Sequence, residues 1–355
     1  MLTAAILITA GYLGLEYRNG GTDPVAAQPQ SSSATSLGPA AGQSAPASAP
    51  ALQFSIPPLP SMSASGSAGA SASPTSKLAG DRSAPGGPGG FPGPGNTGVP
   101  PGTQLATYSG PCTVTKNGTE ITGKLVNCDP LQIRAQNVVI SKSKVKGTVY
   151  ATEHTPYSFT LEDSEVDAGM WQGPAVLNTN MTIRRSNIHG GATAVICSSN
   201  CDIRDSWLHG QLMPEGVDWH LGGFLANDTG ANGRSDVTLV HNTIACDAKT
   251  NSVGGGCSGN VNLFPDFGPV SGVTVRNNFF AASVDISYCV YGGTAKGKAY
   301  DSGVKEIVFE GNVFARGKNR KCGGYGPVTS FNTALPGNVW KNNVWEDGTT
   351  VPPAN

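Results

Sequence analysis

Apolar and polar residues alternate in short runs over the C-terminal two thirds of this 355-residue chain, and the runs return at intervals. Residues 181 to 210 read MTIRRSNIHGGATAVICSSNCDIRDSWLHG, in which TIRRSNIHG is answered by DIRDSWLHG twenty residues later. The pattern is an apolar residue, Ser or Asn at +3 and a second apolar residue at +5. It recurs in VVISKSKVKG, FTLEDSEVDAG, VTLVHNTIAC, VTVRNNFFAA, IVFEGNVFAR and NVWKNNVWED. The +3 residues are Ser143, Ser164, Ser186, Ser206, Asn242, Asn278, Asn312 and Asn343, spaced by 21, 22, 20, 36, 36, 34 and 31 residues.

Each copy predicts two short strands with one buried face, as in Met181 and Ile183 inward, a polar corner, then Ile188 inward. A period of two excludes the helical repeats of similar length. Units of 20 to 22 residues with a Ser or Asn at the corner predict an all-β fold, a single right-handed parallel β-helix of about eight or more coils stacked about 4.8 Å apart. No coil closes a core alone, and a corner Ser or Asn can hydrogen-bond its equivalent one coil away. That makes the ladder structural. Leucine-rich repeats lack support, because neither their Leu spacing nor an intervening helix is present.

Composition changes near Tyr108. Residues 19–107 are rich in Ser, Ala, Gly and Pro, with Asp23, Lys77, Asp81 and Arg82 as the only charges. Such a segment buries too little apolar surface to offset the backbone entropy of ordering, roughly 1–2 kcal/mol per residue. It is expected to be a disordered linker, stiffer around PGGPGGFPGPG, between residues 1–18 and a β-helix domain at 108–355. In 1–18, the uncharged run LTAAILITAGYLGL at 2–15 falls short of the about 20 residues of a membrane-spanning helix and suits a secretory segment. It is either cleaved or kept as a membrane tether; both place the domain outside the cell or on its surface.

All eight cysteines follow the linker: Cys112, Cys128, Cys197, Cys201, Cys246, Cys257, Cys289 and Cys322. Their even number suits four disulfides in an oxidising compartment, and no CxxC pair or Cys/His cluster at zinc spacing competes. Cys289 and Cys322 hold nearly equivalent places on adjacent coils and are the favoured pair. Cys246 with Cys257 would close an inserted loop and Cys112 with Cys128 would pin the N-terminal end; Cys197 with Cys201 is the pair with the least support. Lys and Arg total 23 against 24 Asp and Glu, so no basic excess supports nucleic-acid binding.

The run from Thr113 to Val351, with IRAQNVVISKSKVKG, MTIRRSNIHG, FPDFGPVSGVTVRNNFF and NVWKNNVWEDG, resembles secreted right-handed β-helix proteins of actinomycetes and, more distantly, the pectate-lyase-like superfamily. The resemblance implies an extracellular role on polysaccharide, with lyase or glycoside hydrolase activity in many members and calcium in some. Glu215-Gly216-Val217 stands where such relatives would have Asp-Gly-Val, and VDWH at 217–220 only loosely resembles a pectate-lyase Trp-Ile-Asp-His. The paired-Asp and Gly-His-Gly motifs of polygalacturonases are not found, so the likeness fixes a fold and not an activity.

Candidate chemistry therefore rests on the residues. The first long insertion carries MPEGVDWHLGG, which brings Glu215, Asp218 and His220 together as candidate acid and base, with Trp219 to stack on a sugar ring. In extended chain, 218 and 220 share a face. Further substrate contacts are expected from Asn262, Asp266, Tyr288 and Tyr291 on the following coils. Lys146, Asp167, His189 and His209 fall at one outward position of successive coils, where the two histidines can bind a sugar acid or simply face solvent before a glycine turn. Arg184 and Arg204 share a column without the carboxylate cluster that calcium requires. The expected function is an extracellular domain, with a monomer as the expected state, that binds and in one reading cleaves a polysaccharide. The alternative is a non-catalytic cell-surface glycan-binding or adhesion module.

Overall fold

The computed structural model describes residues 87–230 and 232–353. The apolar segment at 2–15 and the expected linker up to residue 86 lie outside the described residues. Among the described residues the chain is all-β, with two short 3-10 turns, Pro88–Gly90 and Asp301–Gly303. Ten strands form one sheet and sixteen the other, and every strand pair within them is parallel. This arrangement fits a parallel β-helix.

Each expected pair of strands is joined by a third. Strand Asn187–His189 lies in the ten-stranded sheet and is followed by the long strand Thr193–Arg204, after which Trp207–His209 returns to the first sheet. The first half of Thr193–Arg204 pairs with His220–Ala226 and its second half with Val237–Val240. The larger sheet thus runs in two lanes, and one turn of chain visits three faces. The extra lane escaped the alternation pattern because runs such as AVIC at 194–197 are continuously apolar.

Three inward columns fill the core. One is Val126, Val145, Val166, Ile188, Leu208, Ile244, Phe280 and Phe314; a second is Ile121, Ile140, Leu161, Ile183, Ile203, Leu239, Val275 and Phe309; the third is Val149, Val176, Val195, Phe224, Val261, Val290 and Val328. All are buried. The repeat frame read from the sequence is the observed register, since Ile140, Leu161, Ile183, Ile203, Leu239, Val275, Phe309 and Trp340 pair in series.

The corner ladder follows the same frame. Ser143, Ser164, Ser186, Ser206, Asn242, Asn278, Asn312 and Asn343 are all buried. Each backbone N–H donates to the side-chain oxygen of the next corner: Ser143 to Ser164 at 3.0 Å, Ser206 to Asn242 at 2.9 Å, Asn242 to Asn278 at 2.9 Å, Asn312 to Asn343 at 3.1 Å. The residue before each corner takes a left-handed turn, as at Asp163 (φ 48°), Arg185 (φ 47°) and Asp205 (φ 52°).

All four disulfides join the pairs read from spacing: Cys112–Cys128, Cys197–Cys201, Cys246–Cys257 and Cys289–Cys322. They fit an oxidising compartment.

Residues 87–107 correct the linker boundary. They form a strap over the outside of the ten-stranded sheet, beginning with Phe91, whose ring lies 5.4 Å from that of His241 and 5.5 Å from that of Phe279. The strap then passes Asn187, where Gly98 N–H donates to the Arg185 carbonyl at 2.9 Å, and ends as strand Ala106–Thr107 paired with Lys124 and Leu125. Low side-chain content is what fits here. A Cβ on Gly98 (φ +79°) would stand 3.1 Å from the Asn187 Cβ, so a composition suited to a free linker also suits close approach to a sheet.

Candidate functional site

The insertion at 211–223 is held by a neighbouring loop: the Asn251 side-chain amide donates to the Val217 carbonyl at 2.6 Å, and Gly256 N–H donates to the Trp219 carbonyl at 2.9 Å. Trp219 packs on a small apolar cluster of Ala192, Leu221, Cys246, Cys257 and Ile286, so much of its ring is committed to the fold. Glu215 is exposed beside a shallow depression of about 230 Å³ that also touches Met213, Lys249 and Asn251. The Asp218 and His220 side chains are 68% and 56% exposed, with 4.0 Å between Oδ1 and Nε2. That is too long for a hydrogen bond. Asp218 and His220 do share a face, but nothing desolvates them.

The next coils gather Asp266, Tyr288 and Tyr291 on the outer face of the larger sheet. Tyr288 and Tyr291 meet edge to face at 5.6 Å, Phe264 meets Tyr291 at 5.1 Å, and Tyr325 lies 5.8 Å from Tyr288. Asp266 is ion-paired with Lys298, whose Nζ lies 5.3 Å from the Phe264 ring centroid. Burial pushes the Tyr291 phenol above its ordinary range and the Lys298 ammonium below it. Tyr325 is 69% exposed. Asn262 does not reach this surface: it is buried and its amide donates to the Phe224 and Gly259 carbonyls at 3.2 and 3.0 Å. No pattern in the sequence marks Phe264, Lys298 or Tyr325. Tyr325 sits beside Tyr288 only because Gly326 pairs with Tyr288 in the sheet.

The outward column is in register as expected, Lys146 on Asp167 on His189 on His209. The unexpected members are two residues earlier on the same strands: Lys144, Glu165, Asn187 and Trp207, which also face out. Glu165 takes Lys144 Nζ at 2.7 Å and lies 3.1 Å from His189 Nε2, while His189 Nδ1 is 3.7 Å from Asp167. His209 bonds Asn187 at 2.8 Å through Nε2, and its ring stacks on Trp207 at 3.4 Å. The hydrogen bond from His189, with help from Lys144, holds the Glu165 carboxyl down at about 2 against the cost of burial. Burial, with the His189 charge behind it, holds His209 down at about 4.

Both shifts destabilise the fold in acid. His209 is neutral when folded and takes a proton more readily when unfolded, so its contribution is full above pH about 6.5 and is lost as the pH falls towards 4. Glu165 contributes above pH about 4.5 and is lost as the pH falls towards 2. A thermal-denaturation series against pH should therefore show two successive acid losses, and His209→Gln should remove the first alone. If the curve of His209→Gln keeps that step, the burial of His209 is not its cause.

Arg184 and Arg204 share a column and both pair with Asp202, at 3.5 and 2.6 Å. No helix among the described residues is long and apolar enough to cross a membrane.

Comparison of the chain with protein-family models, curated proteins and solved structures finds no match. Geometry and chemistry carry the functional reading.

Proposed function

We propose that the chain carries an extracellular carbohydrate-binding domain built as a single right-handed parallel β-helix of about eight coils, pectate-lyase-like in form, with polysaccharide as its partner. The polysaccharide lies along the outer face of the larger sheet, across Tyr288, Tyr291 and Tyr325. The observation that carries this reading is the aromatic group itself. Three tyrosines from two neighbouring turns stand together with Tyr325 69% exposed, and an amphipathic ring suits the apolar face and the hydroxyls of a sugar at once. Beside them, the Asp266–Lys298 pair offers an acceptor and a donor for sugar hydroxyls.

Binding is favoured over hydrolysis because acid catalysis on a glycosidic bond calls for a carboxyl whose pKa is raised by burial. The candidates Glu215 and Asp218 are exposed.

Affinity electrophoresis of the full chain through gels holding pectin, alginate, glucuronan or a neutral glycan tests the reading. At least one glycan should retard it, and Tyr288→Ala and Tyr325→Ala should each weaken retention about tenfold, a loss of about 1.4 kcal/mol. No retardation on any glycan, or retardation that survives both substitutions, would sink the proposal. Product formation from the same glycans, abolished by Asp218→Asn with His220→Ala, would replace it with cleavage.

A further inference from the structure

The loop at 152–157 leaves strand Val149–Ala151 and leans along the stack. Its own strand is followed in the sheet by Val176, Val195 and then Phe224, so three steps of about 4.8 Å, roughly 14 Å in all, separate it from the strand His220–Ala226. The 152–157 loop and the loop that follows His220–Ala226 close that distance between them, both meeting over strand Thr193–Arg204, where Glu153 bonds Ser198 and a Cβ on Gly230 would stand 2.9 Å from Ser199 Oγ. Asn180 supports the first loop, donating its amide to the Thr155 and Tyr157 carbonyls at 3.0 and 3.1 Å. Where the loops meet, Glu153 and His154 face Asp228 of the second. His154 Nε2 lies 3.4 Å from Asp228 Oδ2, and one donor atom from each of the three residues lies within 4.8 Å of the others.

We propose that Glu153, His154 and Asp228 form a binding site for a divalent transition-metal ion of the zinc type, which clips the two loops together across the intervening turns. The donor set is one imidazole nitrogen and two carboxylate oxygens. Bonds of about 2.0–2.2 Å to such donors set tetrahedral edges of about 3.4 Å, which is the His154–Asp228 separation. The imidazole selects a transition ion over calcium or magnesium, whose ligands are all oxygen. Three protein ligands leave a further position open to water.

Two features separate this cluster from an ordinary ion pair. First, its charge is unbalanced. Several other carboxylates pair with guanidinium or ammonium groups, as Glu162 and Asp163 with Arg185, Asp236 with Arg234, Asp266 with Lys298, and Asp347 with Arg316, while Asp205 and Asp218 each have a histidine to themselves. Among the described residues no lysine or arginine pairs with Glu153 or Asp228, and one imidazole faces both. Second, each carboxylate is oriented by an outer hydrogen bond. Ser198 Oγ donates to Glu153 Oε2 at 3.2 Å, and Thr229 N–H donates to Asp228 Oδ1 at 2.7 Å, leaving Oδ2 towards His154. Outer hydrogen bonds of this kind fix the direction in which a ligating oxygen points. The site is independent of the tyrosine surface, so either reading can fail without the other.

Equilibrium dialysis of the full chain against Zn2+, after removal of metal by a chelator, followed by metal analysis, tests the inference. Binding of one ion per chain is expected, with a rise in melting temperature. His154→Ala and Asp228→Asn should each weaken binding by roughly 100-fold or more, and Ser198→Ala by about tenfold. His154 is exposed and Asp228→Asn keeps the shape of its side chain, so the far-ultraviolet circular dichroism of these two variants should match the parent. Co2+ gives a second readout through visible absorption bands that His154→Ala should erase. Failure to bind Zn2+, or binding that both ligand substitutions leave unchanged, overturns the site, as does a preference for Ca2+ that His154→Ala does not disturb.

Discussion

Asn278→Leu should lower the stability of the domain by about 4 kcal/mol, because its side chain is a junction between three turns. The Asn278 Oδ1 accepts from the backbone N–H and the amide of Asn242 at 2.9 and 3.0 Å, and its own amide donates to the Leu239 and Arg276 carbonyls at 2.9 and 3.1 Å and to Asn312 Oδ1 on the following turn at 3.1 Å. Leucine keeps the volume and removes all of these. Buried groups left without partners cost about 1–3 kcal/mol each, and the Asn242 N–H and the Leu239 carbonyl have no water to turn to. Ser164→Ala is the comparison: the serine serves the Ser143 N–H at 3.0 Å and the Glu162 carbonyl at 2.7 Å, and its loss should cost about half as much. Urea denaturation followed by circular dichroism measures both. If Asn278→Leu lost less than about 1 kcal/mol, the ladder would not be a principal support of the corner.

Gly147→Ala should cost about 3 kcal/mol or more, while Gly118→Ala costs only about 1 kcal/mol. Gly147 turns the chain from Lys144–Lys146 into Val149–Ala151 with φ at +117°, and a Cβ there would stand 2.1 Å from the Cys128 carbonyl oxygen and 2.8 Å from the Asp129 Cβ. The obstacle is backbone beside the Cys112–Cys128 disulfide, and a flexible side chain cannot make way for it. Gly118 also has a positive φ, +67°, but nothing lies within 4 Å of its Cβ position. The pair separates backbone conformation from close approach, and equal losses in the same denaturation experiment would show that the approach to Cys128 does not matter.

Much of the fold was legible because its signals are local or periodic. A period of two marks a strand, and a corner Ser or Asn marks the turn after it, so the frame that aligned Ile183 with Ile203 also aligned His189 with His209. The favoured pairing of Cys289 with Cys322 followed from the same frame. The candidate site was harder to read. Glu215, Asp218 and His220 crowd together in sequence, yet crowding in a loop gives no burial, and burial is what tunes a carboxyl for catalysis. Trp219 illustrates the reverse, since an aromatic beside polar residues can still be drawn into a small core. Tyr325, Phe264 and Lys298 join Tyr288 and Asp266 only through sheet register and loop placement, and Glu153 reaches Asp228 across 75 residues because a loop leans along the stack. The strap at 87–107 carries no apolar alternation at all. Its glycines fit the sheet by what they lack.

The C-terminal segment has a bearing on self-assembly. A stack of parallel strands ends in a row of open hydrogen-bonding groups, which is a template for adding another chain. Here the chain turns back on its own last strand. Trp345 N–H donates to the Thr349 carbonyl at 2.8 Å, Val351 N–H donates to the Asn343 carbonyl at 2.9 Å, and Val344 bridges antiparallel to Thr350. Arg316 lies 4.5 Å over the Trp345 ring and binds Asp347 at 2.7 Å, which pins the turn in place. An antiparallel segment cannot be copied by a parallel stack, so at this edge of the ten-stranded sheet the protein's own sequence breaks the pattern by which a further parallel strand would add.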